Sequence, residues 1–232
     1  MKWIGLIGGM SWESSAEYYR VINEQVRTQR GGLHSAQIML ASVDFAQIEV
    51  LQHQGKWDEA GVVLAGVAQR LVAAGAELIV LCTNTMHKVA PAITAGLTVP
   101  FVHIADATAQ RIVAQRMTRI GLLGTRYTME QEFYVGRLQQ QYGLDVIVPD
   151  ADERVDVNRI IYDELCLGVI SAASRQRYRD IMANLVRRGA QGVILGCTEI
   201  TLLVGHADTT VPVFDTTRIH AEVAVELALV AS

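Results

Sequence analysis

Cysteine, proline and charge are all scarce in this sequence. Its 232 residues include three cysteines and four prolines, and charged residues make up 19% of the chain. Three cysteines are an odd number without metal-ligand spacing, so neither a disulfide framework nor a metal centre is predicted. Free thiols suit a reducing compartment, and we therefore expect a cytoplasmic protein.

Long apolar runs and basic clusters are absent too. No run approaches the roughly 18 residues of a membrane span, and the opening MKWIGLIGGM reads as a strand rather than as a signal peptide. The formal net charge is −4, so no basic surface for nucleic acid is expected. Half of the residues are hydrophobic, which is enough for a sizeable core in one large domain or two of ordinary size.

The strongest pattern in the sequence is a repeated stretch. Residues 71–85, LVAAGAELIVLCTNT, match residues 185–199, LVRRGAQGVILGCTE, without a gap. Each copy reads as a helix end, a Gly-Ala turn, a buried strand and a polar cluster. Thr83 stands at the tip of the first cluster, and Cys197 occupies the same place in the second.

Two further segments recur in the same order. RIGLLG at 119–124 corresponds to WIGLIG at 3–8, and VPVF at 211–214 corresponds to VPFV at 99–102. Three ordered matches predict an internal duplication. The expected fold is α/β, with two pseudo-symmetric Rossmann-like lobes, each a mostly parallel sheet flanked by helices.

The duplication also predicts the lobes and the place of the site. Residues 1–97 with 212–232 are predicted to form the N-terminal lobe, and residues 98–211 the C-terminal lobe. Ligands of such sheets bind outside the carboxyl ends of the strands. We therefore expect the active site in a cleft between the lobes, with Thr83 and Cys197 on opposite walls.

Local patterns give several smaller predictions. Ser11 is expected to cap a helix after the Gly8–Gly9 turn, whose N–H groups could face an anion. The glycine spacing is not GxGxxG, so no dinucleotide site is predicted. Gln52 is placed in a polar loop, one helix is predicted over 130–142, and the last helix over 217–231.

Cys197 carries the most useful reactive group. A thiol, with its reference pKa of about 8.5, can act as an acid or a base near neutral pH. Backbone N–H groups at a following helix start would stabilise its thiolate, while burial as a small hydrophobe remains an open alternative. Cys82 is predicted to point into the strand packing, Cys166 to lie in the core, and His87 to have a structural role.

The stretches IGLIGGMSWESS, LCTNTMHK, LLGTRYTMEQEFY and LGCTEI resemble the aspartate/glutamate racemase family. Members of that family are cofactor-independent amino-acid racemases with two pseudo-symmetric lobes and a two-thiol active site, and a homodimer is plausible from the family. The second motif of the family, Gly-Cys-Thr-Glu, is intact at 196–199. Its first motif, Cys-Asn-Thr, reads Thr-Asn-Thr at 83–85, so threonine replaces the first catalytic cysteine. This combination resembles the L-aspartate/glutamate-specific racemases.

The resemblance implies proton abstraction from Cα on one face and reprotonation on the other, with Thr83 and Cys197 as catalytic residues. Because a threonine hydroxyl is a poor base, one enantiomer is expected to be the better substrate, and the resemblance implies that it is the L form. Hydrogen bonds must also neutralise the carboxylate beside an enediolate-like carbanion. The residues predicted to bind substrate are Met10, Gln52, Asn84, Thr85, Thr125, Tyr127, Thr128, Thr198 and Glu199.

Other interpretations stay open at this point. Arylmalonate decarboxylases, hydantoin racemases and maleate isomerases share the two-lobe plan, and the decarboxylases protonate a planar enediolate with a single cysteine. A non-enzymatic alternative is a two-lobe protein that closes on a dicarboxylate. That alternative predicts full ligand affinity after Cys197→Ser and no exchange of the Cα proton.

Overall fold

Two parallel four-stranded sheets form the framework of the chain. The computed structural model describes residues 1–230. The first sheet has the order β2-β1-β3-β4, with β1 (Ile4–Gly8), β2 (Ile38–Ser42), β3 (Leu78–Leu81) and β4 (Phe101–Val102). The second has the order β6-β5-β7-β8, with β5 (Arg119–Gly124), β6 (Asp145–Ile147), β7 (Val193–Gly196) and β8 (Val213–Asp215). The two orders are equivalent, which confirms the predicted α/β fold built from two similar halves.

Helices connect the parallel strands. The α-helices of the described residues are α1 (Trp12–Arg30), α2 (Phe45–His53), α3 (Trp57–Ala73), α4 (Ala90–Thr94), α5 (Ile104–Ala114), α6 (Arg126–Glu130), α7 (Val135–Tyr142), α8 (Ala151–Asp163), α9 (Ala172–Arg187), α10 (Ile200–Leu203) and α11 (Thr216–Leu229). Short 3-10 helices cover Thr85–Val89, Leu165–Leu167 and His206–Asp208. Within residues 1–230, no helix combines the length and the apolar character that a membrane crossing needs.

The central strands are buried from end to end. Every residue of β1, β3 and β7 is buried. Such continuous apolar strands are typical of parallel sheets with both faces covered. On one face of the first sheet, Leu64 and Leu71 of α3 belong to the same core cluster as Ile79 and Leu81 of β3. This packing fixes the carboxyl end of β3, where the polar cluster of the first repeat begins.

The contacts divide the chain into two compact units. The first comprises residues 1–104 together with α11 from Thr217 onward, and the second comprises Ala105–Thr216. The chain therefore leaves the first unit at the start of α5 and returns to it at the start of α11. Each unit contains one of the two sheets.

Several local predictions are wrong. Gln52 lies in α2 and is buried, because that helix continues to His53. The helix expected over 130–142 is interrupted, since Gln131 has an extended backbone and α7 begins only at Val135. Cys166 is exposed, since α8 ends before it and Leu165 takes the buried position. The predicted end of the last helix at 231 lies outside the described residues.

Candidate active site

Thr83 and Cys197 occupy equivalent positions in their two units. Each follows a fully buried strand, β3 or β7, and each side chain is partly exposed. The residue before Thr83, Cys82, is completely buried. The repeat therefore presents one hydroxyl and one thiol at the carboxyl ends of two equivalent strands, which is where ligands bind in parallel sheets.

His87 holds the backbone of Thr83. Its Nδ1 lies 2.7 Å from the carbonyl oxygen of Thr83, and its Nε2 lies 3.1 Å from the amide nitrogen of Ile104. A backbone amide only donates and a carbonyl only accepts, so Nδ1 carries the proton and the ring is neutral. This buried imidazole fixes the strand end, a structural role that agrees with the prediction for His87.

Cys82 does not supply the thiol that Thr83 lacks. Burial raises the pKa of its thiol well above the ordinary range. Its carbonyl oxygen accepts a hydrogen bond of 3.1 Å from Ser14 Oγ, which ties the end of β3 to α1. Its sulfur is an inert part of the core, as the alternation of side chains along a strand predicts.

Cys197 contacts the one carboxylate of its own motif, that of Glu199. Its Sγ donates a hydrogen bond of 2.9 Å to Glu199 Oε2. Burial raises the pKa of Cys197, and the negative charge of Glu199 raises it further. A backbone hydrogen bond at Glu199 acts in the opposite direction and is outweighed. The thiol is therefore protonated at neutral pH, whereas the sequence alone suggested a thiolate stabilised by backbone N–H groups.

This arrangement makes a direct prediction for thiol reactivity. In a Cys166→Ser background, which removes the exposed competing thiol, Glu199→Gln should lower the pKa of Cys197. The thiolate fraction at pH 8 then rises, about tenfold for each unit by which the pKa falls while it stays above the pH. Iodoacetamide should consequently alkylate Cys197 several-fold faster, as measured by mass spectrometry.

The matched control is Asp152→Asn, which removes an exposed carboxylate from the first turn of α8 in the same unit. It should leave the alkylation rate of Cys197 unchanged. Equal rates for Glu199→Gln and the Cys166→Ser parent would contradict the assigned effect of Glu199.

Tyr162 is a neighbour of this thiol that the sequence analysis missed. Burial raises the pKa of its phenol, and the charges of Cys197, Cys166, Tyr127 and Glu199 raise it further. Tyr162 thus lies within electrostatic reach of Cys197 and Glu199. The only signal in the sequence was its place on the face of α8, and nothing in the local pattern linked that face to β7.

The predicted substrate-binding residues of the first unit surround the ends of β1 and β3. Met10 is buried directly after Gly9, whose positive φ of 90° and contact with the Val43 backbone leave no space for a side chain. The Gly9 N–H donates to Ser15 Oγ at 2.8 Å, so it does not point at an anion as predicted. Gln52 Nε2 donates to Met86 Sδ at 2.8 Å. Asn84 and Thr85 follow Thr83 and are buried.

The predicted residues of the second unit separate into two groups. Thr125 caps α6, and its hydroxyl lies 3.2 Å from that of Thr128, which is fully buried. Tyr127, Thr198 and Glu199 are partly exposed. Among the described residues, no group of three or more His, Cys, Asp or Glu side chains could hold a metal ion.

Comparison with known proteins identifies the class to which this fold and these strand ends belong. Residues 7–224 match the model of the Asp/Glu/hydantoin racemase family. The match covers most of the chain, which therefore belongs to that family. Racemases are isomerases, and the chain is an enzyme of that class acting on a small molecule.

Solved structures give more particular similarities. A candidate Asp/Glu racemase from Yersinia pestis shares 59% sequence identity, covers 99% of this chain and 100% of its own, and superposes with a TM-score of 0.95. An aspartate racemase homologue from Pyrococcus horikoshii OT3 shares 36% identity over 98% of this chain and 99% of its own, with a TM-score of 0.87. An aspartate racemase from Picrophilus torridus, at 17% identity, covers 98% of this chain and 94% of its own with a TM-score of 0.77, and shows the common fold.

Proposed function

We propose that this protein is a cofactor-independent racemase of aspartate or glutamate, in which Cys197 and Thr83 exchange the proton on Cα. The observation that carries the proposal is the equivalent position of the two side chains, each the first partly exposed residue after a buried repeated strand. Membership of the racemase family and the similarity to an aspartate racemase homologue support the choice of substrate.

Glu199 is proposed to control the proton of Cys197. In the resting protein the thiol donates to Glu199 Oε2 at 2.9 Å. When substrate binds, the thiol proton passes to this carboxylate, and the thiolate accepts the proton from Cα. In the reverse direction, the thiol returns its proton to the carbanion and regains one from Glu199. Glu199 raises the pKa of the Cys197 thiol, and its carboxylate is also the acceptor to which the thiol proton passes at 2.9 Å.

Thr83 is proposed to serve the opposite face of Cα. Its hydroxyl donates a proton to the carbanion, directly or through water, but removes one poorly because an alcohol is a far weaker acid than a thiol. Exchange should therefore be faster from one enantiomer, which we propose to be the L form by resemblance to the L-aspartate/glutamate-specific racemases. The equilibrium between the enantiomers stays at one to one, so this preference concerns rates alone.

The carbanion needs its carboxylate neutralised by hydrogen bonds. Asn84, Thr85 and Thr198 are the proposed donors, since they flank the two catalytic residues in sequence. Met10 and Gln52 are proposed to line the pocket, and Thr125, Tyr127 and Thr128 to reach the side-chain carboxylate of the substrate. We also expect a homodimer in the cytoplasm, and light scattering of the purified protein tests the oligomer.

The decisive experiment is proton NMR of free amino acids in heavy water. The wild-type protein should exchange the Cα proton of L-aspartate or L-glutamate for deuterium without any added cofactor. Exchange from the D enantiomer should be slower by about 10²-fold or more, the usual value of one positioned base. Equally fast exchange from both enantiomers would contradict the assignment of a single efficient base.

A second function is favoured by one observation, which is that only Cys197, and not Thr83 at the equivalent position, carries sulfur. A single thiol suffices to protonate the enediolate that a disubstituted arylmalonate forms on losing carbon dioxide. The same NMR assay with such a malonate distinguishes the two functions. Decarboxylation without exchange on aspartate would replace the racemase proposal.

A further inference from the structure

The two proposed catalytic side chains are held in different ways. Cys197 Sγ donates a hydrogen bond of 2.9 Å to Glu199 Oε2, so a carboxylate directs the thiol. The hydroxyl of Thr83 makes no hydrogen bond with any other residue in 1–230. Its direction therefore follows from the side-chain rotamer and from the backbone that carries it. Whatever holds the backbone of Thr83 also aims its hydroxyl.

Two side chains hold consecutive carbonyl groups at the end of β3. Ser14 Oγ, on α1, donates to the carbonyl oxygen of Cys82 at 3.1 Å. His87 Nδ1, on the 3-10 helix that follows Thr83, donates to the carbonyl oxygen of Thr83 at 2.7 Å. Both side chains are buried, so water does not compete for either bond. The peptide units on both sides of the Thr83 Cα are thus fixed, each from a different helix.

The imidazole of His87 is itself confined. Its ring centroid lies 4.6 Å from that of His103 and 5.7 Å from that of His220, and all three rings belong to the first unit. Its Nε2 accepts a hydrogen bond of 3.1 Å from the Ile104 N–H. The ring is therefore bonded at both nitrogens and packed between other rings, and it fixes the Thr83 carbonyl in turn.

The second repeat has no such imidazole. Residues 71–85 match 185–199, so the position equivalent to His87 is Thr201. The hydroxyl of Thr201 donates to the carbonyl oxygen of Thr198 at 2.7 Å, one residue beyond Cys197. The imidazole anchor thus accompanies the catalytic side chain that lacks a partner of its own, and it is absent where Glu199 directs the thiol.

We propose that His87 and Ser14 are positioning residues that aim the Thr83 hydroxyl at the carbanion, an inference that rests on the proposed function. In this step the electron pair of the carbanion takes the hydroxyl proton, the O–H bond breaks, and the alkoxide regains a proton from water. The step forms D-aspartate from L-aspartate. Return of a proton by Cys197 regenerates L-aspartate instead, and in heavy water it leaves deuterium at Cα.

Two variants separate the two hydrogen bonds of His87. In His87→Asn, the amide N–H takes the place of Nδ1 and still donates to the Thr83 carbonyl. In His87→Gln, the amide oxygen takes the place of Nε2 and still accepts from the Ile104 N–H. A merely structural role predicts similar effects from both variants. The positioning role predicts that His87→Gln, which loses the bond to Thr83, impairs the Thr83 step, and that His87→Asn spares it.

The kinetic test follows L-aspartate in heavy water. His87→Gln should slow the formation of D-aspartate by about 10- to 100-fold, the usual effect of misplacing a reacting group. Deuterium return into L-aspartate should stay within about threefold of the wild-type rate, since Cys197 keeps its position. His87→Asn should leave both rates within the same range. Chiral chromatography measures D-aspartate, and proton NMR measures the deuterium in L-aspartate.

Ser14→Ala tests the same anchor from α1, and it keeps the experiment decisive if a thermal melt shows that the His87 variants do not fold. It should slow the formation of D-aspartate by about 3- to 10-fold, the value of one neutral hydrogen bond, with deuterium return unchanged. The control is His34→Gln, an exposed residue of the first unit, which should leave both rates unchanged.

Amide hydrogen exchange, measured by NMR without substrate, tests the anchor separately from catalysis. His87→Gln should speed exchange over residues 83–86, because the Thr83 carbonyl is released. His87→Asn should speed exchange of the Ile104 N–H instead, because that amide loses its acceptor.

Equal losses of D-aspartate formation and of deuterium return in His87→Gln or in Ser14→Ala would overturn this assignment, and so would a His87→Asn protein as impaired as His87→Gln. Faster amide exchange over residues 83–86 in His87→Gln, from a protein that exchanges no Cα proton, would refute the racemase function and leave His87 as the anchor of Thr83.

Discussion

Cys197→Ser should slow exchange of the Cα proton of L-aspartate by about 10²- to 10⁴-fold, the typical contribution of a positioned acid or base. The serine hydroxyl keeps the size of the side chain and its hydrogen bond to Glu199, but it ionises far less readily than the thiol. The reaction loses its efficient base while the site keeps its shape. Deuterium incorporation measured by proton NMR gives the rate.

The matched control is Cys166→Ser, which changes an exposed thiol in the same unit. It should leave the exchange rate near that of the wild type. The thermal melting temperature of Cys197→Ser should stay near that of the wild type, which separates a loss of chemistry from a loss of folding. A Cys197→Ser protein that exchanges aspartate at the wild-type rate would exclude Cys197 as the base.

Thr83→Cys should have the largest effect in the opposite direction. It restores sulfur at the end of β3, the position equivalent to Cys197 at the end of β7. Exchange from D-aspartate should rise by up to about 10²- to 10⁴-fold, because a thiol replaces an alcohol as the base for that face. Exchange from L-aspartate should change much less, since Cys197 still removes that proton.

A thiol placed elsewhere supplies the control for this gain. Thr94→Cys adds sulfur at an exposed position on α4 and should leave both enantiomers unaffected. If Thr83→Cys produces no gain with D-aspartate, Thr83 is not the residue that serves the second face.

The fold could be predicted from the sequence because the sequence patterns that indicate it are local and occur twice. The buried strands β1, β3 and β7 are short apolar runs, and parallel strands buried on both faces give this pattern. The duplicated Gly-Ala turn placed β3 at Leu78–Leu81, as observed. The same repeat located the two polar residues that follow β3 and β7.

The predictions that were wrong depend on distant contacts. Gln52 was predicted in a loop, yet α2 continues through it. Its side-chain amide donates a hydrogen bond to the Met86 sulfur. Cys166 had an apolar helical pattern, but α8 ends before it. The pKa of Cys197 follows from burial and from Glu199, which together outweigh the backbone hydrogen bond.

The equivalent strand order of the two sheets has an evolutionary consequence. A duplicated fold has two equivalent strand ends. The side chain at one strand end can therefore change while the side chain at the other preserves the reaction. The preference for one enantiomer of the substrate can then change through the substitution of a single side chain, while the fold stays the same. The sequence of each half therefore indicates which residue to introduce at the equivalent position of the other half.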